Sequence, residues 1–249
     1  MVNIEIIELG DVYPFSFKKL KAFNSNSTLF KLEENTVIPN PDILNNFKSF
    51  DSYQLNDADF NSLINKDSKS NFSIIIVNRL LQNNYFSRRL SDKHIVISIF
   101  DMDKLSIHEG ITLEMYITRF IYGFVSVYRC FNNSLPSNEI VSQFELFQND
   151  VKGCLFDFCI YKPQVAMFFR EPKISPEALV KLRTKSLPAG FIEALNKEIL
   201  KLKISRYYKI KDWLKANPVK AILLTFLVGL IFSELLGNLI YDLILAFKF

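Results

Sequence analysis

From Ala221 to Phe247 the chain reads AILLTFLVGLIFSELLGNLIYDLILAF, 27 residues that carry two formal charges, Glu234 and Asp242. As a helix this stretch is about 40 Å long, and a hydrocarbon core is about 30 Å thick. It is long enough to cross a bilayer once, with tilt or with a run into the far interface, and too short to cross twice. Glu234 is the fourteenth of the 27 residues, so no placement of the helix moves it far from mid-bilayer. A carboxylate there costs about 2.5–3.5 kcal/mol on insertion scales. Protonation, a polar neighbour on another helix, or a water-filled lumen would relieve that cost.

The spacing favours a neighbour. Glu234, Asn238 and Asp242 stand at i, i+4 and i+8, beside Thr225, Gly229, Ser233, Gly237 and Tyr241, again every fourth residue. Small residues at that interval let helix backbones approach closely. A plain anchor has no use for such a face, whereas a self-associating helix does, and a ring of them would line a polar path. Three blander readings stay open. Asn238 and Asp242 reach the outer interface, the helix lies along the surface as an amphipathic segment, or it pairs with a different membrane protein.

Basic charge orients the span. From Lys197 to Lys220 there are eight Lys or Arg against Glu198 and Asp212, and beyond the span only Lys248. The positive-inside rule places the N-terminal part in the cytoplasm and the C-terminus outside. Arg206, Lys209, Lys211, Lys215 and Lys220 are the candidate contacts to anionic lipid, with Tyr207, Tyr208 and Trp213 at the inner interface. Pro218 marks a turn before the span. The N-terminus MVNIEIIELGDVYPF has no long apolar stretch of the secretory kind, and three cysteines, Cys130, Cys154 and Cys159, suit a reducing compartment.

The part before the span suffices for one domain with a core. NIEIIEL (3–9) and TLFKLEE (28–34) read as strands, and the Asn-, Asp- and Ser-rich stretch 35–72 as surface loops and short helices. FSIIIVN (72–78) and HIVISIF (94–100) are continuous apolar runs suited to strands buried on both faces. The stretch between them, RLLQNNYFSRRLSDK, reads as a polar surface crossing. In 111–131 the apolar positions Leu113, Ile117, Phe120, Ile121, Phe124 and Val127 recur at helical spacing, with Arg119 and Arg129 as interruptions, which predicts a buried core helix. A further helix starts at Ser175–Pro176, and 188–218 reads as one or two helices leading to the membrane. The fold class expected is an α+β cytoplasmic domain (1–180), a basic helical stalk (181–218) and one transmembrane helix (219–249).

Candidate chemistry is sparse. His94 opens a strand and His108 falls in a loop, and position 112, a threonine, breaks any H-E-x-x-H. No G-x-G-x-x-G or Walker pattern is present. Gly153, Cys154 and Asp157 form the one candidate motif of the soluble part. With Cys159 they could touch a metal, but the cysteine spacing is not that of structural zinc sites, which favours packing cysteines. No catalytic residue, cofactor, metal or nucleic-acid partner is assigned.

The order HIVISIF, buried helix, GCLFDFC resembles the core of the archaemetzincin branch of the metzincin zinc peptidases over about 70–180. In that family a strand of this kind precedes an H-E-x-x-H helix, and a cysteine-containing turn and a late C-x-x-C follow. Here LEMYITRFIYGFV (113–125) takes the zinc-helix position without a histidine, and FREPKISPEAL (169–179) the late region without a cysteine. The resemblance implies a metal-free relative, with the domain used for sensing or scaffolding. The whole layout resembles bacterial inner-membrane effectors of anti-phage defence, in which a cytoplasmic module senses a small molecule or protein and the spans disrupt the membrane. It implies a homo-oligomer. A tail-anchored divergent hydrolase and a passive membrane scaffold are the alternatives.

Overall fold

A computed structural model describes residues 1–39, 54–60, 69–102, 109–136, 151–157, 159 and 164–246. They fall into two compact units, 1–204 and 205–249. His108, Lys248 and much of the 35–72 stretch lie outside the described residues.

The first unit is α+β. Its sheet has five strands in the order β2-β1-β4-β7-β6: β1 (Val2–Leu9), β2 (Phe30–Ile38), β4 (Phe72–Val77), β6 (Ser87–Arg89) and β7 (His94–Ser98). All neighbours are parallel except β6, which runs antiparallel to β7 at one edge. The central strand β4 and its neighbour β7 are the continuous apolar runs of the sequence, and every residue of both is buried. Such strands carry no polar face because both faces of the sheet are covered.

On one face Ile7, Leu9, Ile75, Val77 and Val96 pack with Leu55, Phe60 and Leu81. The last three come from the two-residue strands β3 (Gln54–Leu55) and β5 (Leu80–Leu81), which pair in parallel, and from the single turn Asp57–Phe60. The other face is crossed by the long helix α2 (Leu113–Cys130), which follows the short α1 (Phe17–Phe23). Thr112 caps α2 by accepting from the Met115 amide at 3.3 Å. Its Tyr116 hydroxyl donates to the Ser98 carbonyl at 3.0 Å. Tyr122 meets Phe30 edge-on and Tyr128 meets Phe72, with ring centroids 5.4 and 5.5 Å apart.

The stretch 79–93 is more than a surface crossing, since it contains β5 and the edge strand β6. Pairing there is through the backbone, which tolerates the Ser-Arg-Arg side chains of β6. The C-terminal part of the unit holds α3 (Val165–Arg170), α4 (Pro176–Arg183), capped by Ser175 with Pro176 in its first turn, and α5 (Phe191–Ile199).

The boundary between the units falls at 204/205, where the sequence reading sets it at 180/181. The reason is α5, whose Leu195, Glu198 and Ile199 are buried. Glu198 accepts from the Ser27 hydroxyl (2.7 Å), the Thr28 amide (2.7 Å) and hydroxyl (2.6 Å), and the Tyr122 hydroxyl (3.0 Å). Burial on its own would raise the Glu198 pKa. The hydrogen bonds from Thr28, Ser27 and Tyr122 outweigh it and hold the carboxyl below its ordinary value.

The second unit contains α6 (Arg206–Ala216) and α7 (Pro218–Ala246). Asn217 separates them, and its carbonyl accepts from the Ala221 amide at 2.9 Å. Pro218 stands at the first helical position, where its missing N–H costs nothing.

Candidate functional site

One side of α2 presents Arg119, Phe120, Gly123, Phe124 and Val127, at i, i+4 and i+8 intervals. These residues line a cavity of about 450 Å³. Edge strand β6 and the residues before it, Tyr85 to Arg89, form a second wall, and Leu135, Leu155, Phe156, Asp157 and Cys159 close it. The motif Gly153-Cys154-Asp157 thus sits at the cavity's margin, with Asp157 in its lining.

The geometry of that motif is local and specific. Gly153 has φ +75°, a conformation that costs an L side chain about 1 kcal/mol or more. A Cβ there would also meet the Met167 carbonyl oxygen at 3.3 Å. Asp157 accepts from the Gly153 amide at 2.9 Å and pairs with Lys152 Nζ at 3.4 Å. Cys154 Sγ accepts from the Ser175 amide at 3.2 Å. The cysteines are free and, for Cys154 and Cys159, buried. Burial pushes the Cys159 thiol pKa up, which disfavours the thiolate. Among the described residues no three His, Cys, Asp or Glu side chains group to hold a metal ion.

Arg119 is the residue that sequence patterning undervalues. It reads as a polar interruption of the core helix, yet it is only 3 % exposed. Its guanidinium lies over the rings of Phe120 and Phe168, 5.2 and 5.3 Å from their centroids. Nη2 donates to the Asp157 carbonyl at 3.2 Å and to Cys159 Sγ at 3.7 Å. Nε is buried without a partner. No carboxylate pairs with it among the described residues. Arg88, by contrast, pairs with Asp57 at 2.8 Å and lies over Tyr85. Burial also lowers the pKa of Arg89.

In the second unit, α7 holds a stretch, Pro218–Asn238, that is long and apolar enough to cross a membrane. Ile222, Leu223, Phe226, Leu227, Leu230, Ile231 and Phe232 are exposed. The small-residue face has room: a Cβ added at Gly229 or Gly237 meets nothing within 4 Å. Thr225 and Ser233 satisfy their hydroxyls on their own helix, on the Ala221 and Leu230 carbonyls at 2.9 and 2.8 Å. Glu234 and Asn238 are exposed and make no side-chain hydrogen bond or ion pair among the described residues. Asp242 continues their register on the same helix. Of the basic set, Arg206, Lys209, Lys211 and Lys215 belong to α6 and Lys220 to the first turn of α7. Lys211 Nζ lies over the Tyr208 ring at 5.8 Å, and Trp213 is partly exposed.

Fold and site together define an α+β domain around a mixed sheet, with an arginine-floored cavity beside its edge strand, in a chain that also carries one candidate membrane helix. Comparison with solved structures finds a likeness to the crystal structure of archaemetzincin from Methanopyrus kandleri: TM-score 0.45 and 12% identity over 74% of this chain and 94% of that one. A likeness of that degree transfers no activity and no residue role. No family model matches the chain, and no curated protein matches its sequence.

Proposed function

We propose that the chain is a membrane-anchored effector in which the 1–204 unit binds a signal and copies of α7 associate through the Thr225, Gly229, Ser233, Gly237 face. The layout is that of a bacterial inner-membrane protein with its N-terminal unit in the cytoplasm, of the kind used in anti-phage defence. A signal that binds the clustered state better than the dispersed one shifts the population toward clusters by that difference in affinity. Membrane disruption follows when clustered helices bring Glu234, Asn238 and Asp242 around a shared polar path.

The observation that carries this reading is Glu234. It is a carboxylate in the middle of an apolar helix, exposed and without a partner among the described residues. Inserted in lipid, it needs polar company, and the two open glycines beside it give a second copy a way to come close. The test is dye leakage from liposomes of mixed anionic and zwitterionic lipid by the full-length protein, alongside cross-linking in nanodiscs. Glu234→Leu and Gly237→Leu are expected to reduce both leakage and cross-linked oligomer at least tenfold. A protein that stays monomeric under all conditions, or that leaks equally well with Glu234→Leu, refutes the reading. Undiminished function with α7 replaced by a poly-leucine helix would instead favour a passive anchor.

A further inference from the structure

We infer that the cavity beside Arg119 is a binding site for a small monocarboxylic acid carried on an aromatic or apolar body, its carboxylate seated on the Arg119 guanidinium. This rests on the reading of the 1–204 unit as a binding module and is independent of helix association.

The argument starts from charge. A buried arginine needs an acidic partner or a dense set of acceptors. Among the described residues Arg119 has neither: the Asp157 carbonyl and the weak acceptor Cys159 Sγ share Nη2, and Nε has no partner. Two other charged groups of the lining have ion-pair partners. Asp157 is paired with Lys152 and Arg88 with Asp57, while Arg89, half-buried, also lines the cavity. Among the described residues the Arg119 guanidinium thus has no counter-charge, and the cavity suits an anionic group. A carboxylate is also the planar acceptor that a guanidinium binds with two parallel hydrogen bonds.

The walls supply the rest of the specificity. Phe86, Phe120, Phe124, Leu155, Phe156 and Val127 supply the apolar part of the lining of a half-open space of about 450 Å³, within the range of small-molecule sites. The rings of Phe120 and Phe168 hold the guanidinium in place, so little side-chain freedom is lost when an acid binds. A purely structural role does not explain the residue. Methionine would fill the same space without the cost of burying a charge.

The test uses the full-length protein in nanodiscs, followed by circular dichroism as it is heated. The probes are benzoate, phenylacetate and indole-3-acetate, their uncharged amides, phenyl phosphate and inorganic phosphate. At least one acid is expected to raise the melting temperature by several degrees at millimolar concentration, with its amide giving less than a quarter of that shift. Arg119→Met is expected to abolish the shift while leaving the ligand-free protein as stable as the wild type or more so. Arg119→Lys is expected to keep a reduced one. Amides that match their acids, no shift from any acid, or a full acid shift in Arg119→Met overturns the inference. Should Arg119→Met not fold, the acid–amide contrast in the wild type decides alone. A larger shift from phenyl phosphate overturns the choice of carboxylate, and an equal shift from inorganic phosphate overturns the apolar body. Glu234→Leu is expected to leave the acid shift intact, so that failure of helix association and failure of the cavity are read separately.

Discussion

Two glutamates show how differently the two units of this chain solve the same problem. Glu198, in the first unit, is buried and receives four hydrogen bonds from Ser27, Thr28 and Tyr122. Glu234, in the second, projects from an apolar helix and receives none among the described residues. A carboxylate that meets its donors inside the chain marks a finished fold. One that meets none among the described residues, on a helix long and apolar enough to cross a membrane, is left unsatisfied by its own unit. Arg119 lies between these cases: it is enclosed like Glu198 and undersupplied like Glu234.

The sharpest way to break this contrast is to exchange the consequences. Glu198→Ala strands four donors, and a hydrogen bond to a charged group is worth about 1.5–3 kcal/mol. The first unit is expected to lose about 3 kcal/mol or more, measured as the denaturant midpoint, with cross-linking of α7 unchanged wherever the unit still folds. Glu234→Leu should do the reverse. If Glu198→Ala melts like the wild type, the donors around it contribute nothing and the contrast fails.

Acid should separate the units next. The folded Glu198 pKa lies below its ordinary 4.5, so its contribution is complete above about that pH and is lost as pH falls through the folded value. His94, buried at the start of β7 beside the Ser91 hydroxyl at 2.9 Å, has its pKa lowered from 6.5, mainly by burial. The unfolded imidazole therefore takes up a proton first, and stability begins to fall as pH drops below about 6.5. Urea midpoints of the first unit should decline below pH 6.5 and more steeply below 4.5. His94→Gln should remove the upper phase alone.

The smallest effect belongs to Thr225→Ala. Its hydroxyl already bonds the Ala221 carbonyl, so it has little to offer a neighbour, and the methyl is no bulkier. Cross-linking of α7 should change less than twofold, against at least tenfold for Gly237→Leu. A large loss with Thr225→Ala would show that hydroxyl contacts, and not close backbone approach, hold the helices together.

The parts of this architecture legible in the sequence are those specified by local patterning. β4 and β7 are continuous apolar runs, α2 has helical spacing, and α4 announces itself with Ser175 and Pro176. Other features depend on partners far away in the chain. Ser87-Arg88-Arg89 looks like a surface loop because edge pairing uses the backbone and leaves no side-chain signature. Glu198, in the lysine-rich NKEILKLK, reads as part of a basic stalk because its donors lie 76 to 171 residues earlier. Arg119 reads as an interruption because what encloses it, Asp157, Cys159 and Phe168, comes 38 or more residues later. The cavity was hidden for the same reason. The i, i+4 polar series of α7 was visible, since a helix displays its own faces without help.

The bond between Glu198 and Ser27 joins residues 171 positions apart and so closes the chain between them into a ring. Such a ring behaves as a clasp. The Ile204 amide is itself tied to the Phe169 carbonyl at 2.9 Å, so the end of the first unit is fastened to α3, and Glu198 just before it to the beginning of β2. Unlacing that end of the unit therefore means releasing two anchorages that lie far apart along the chain.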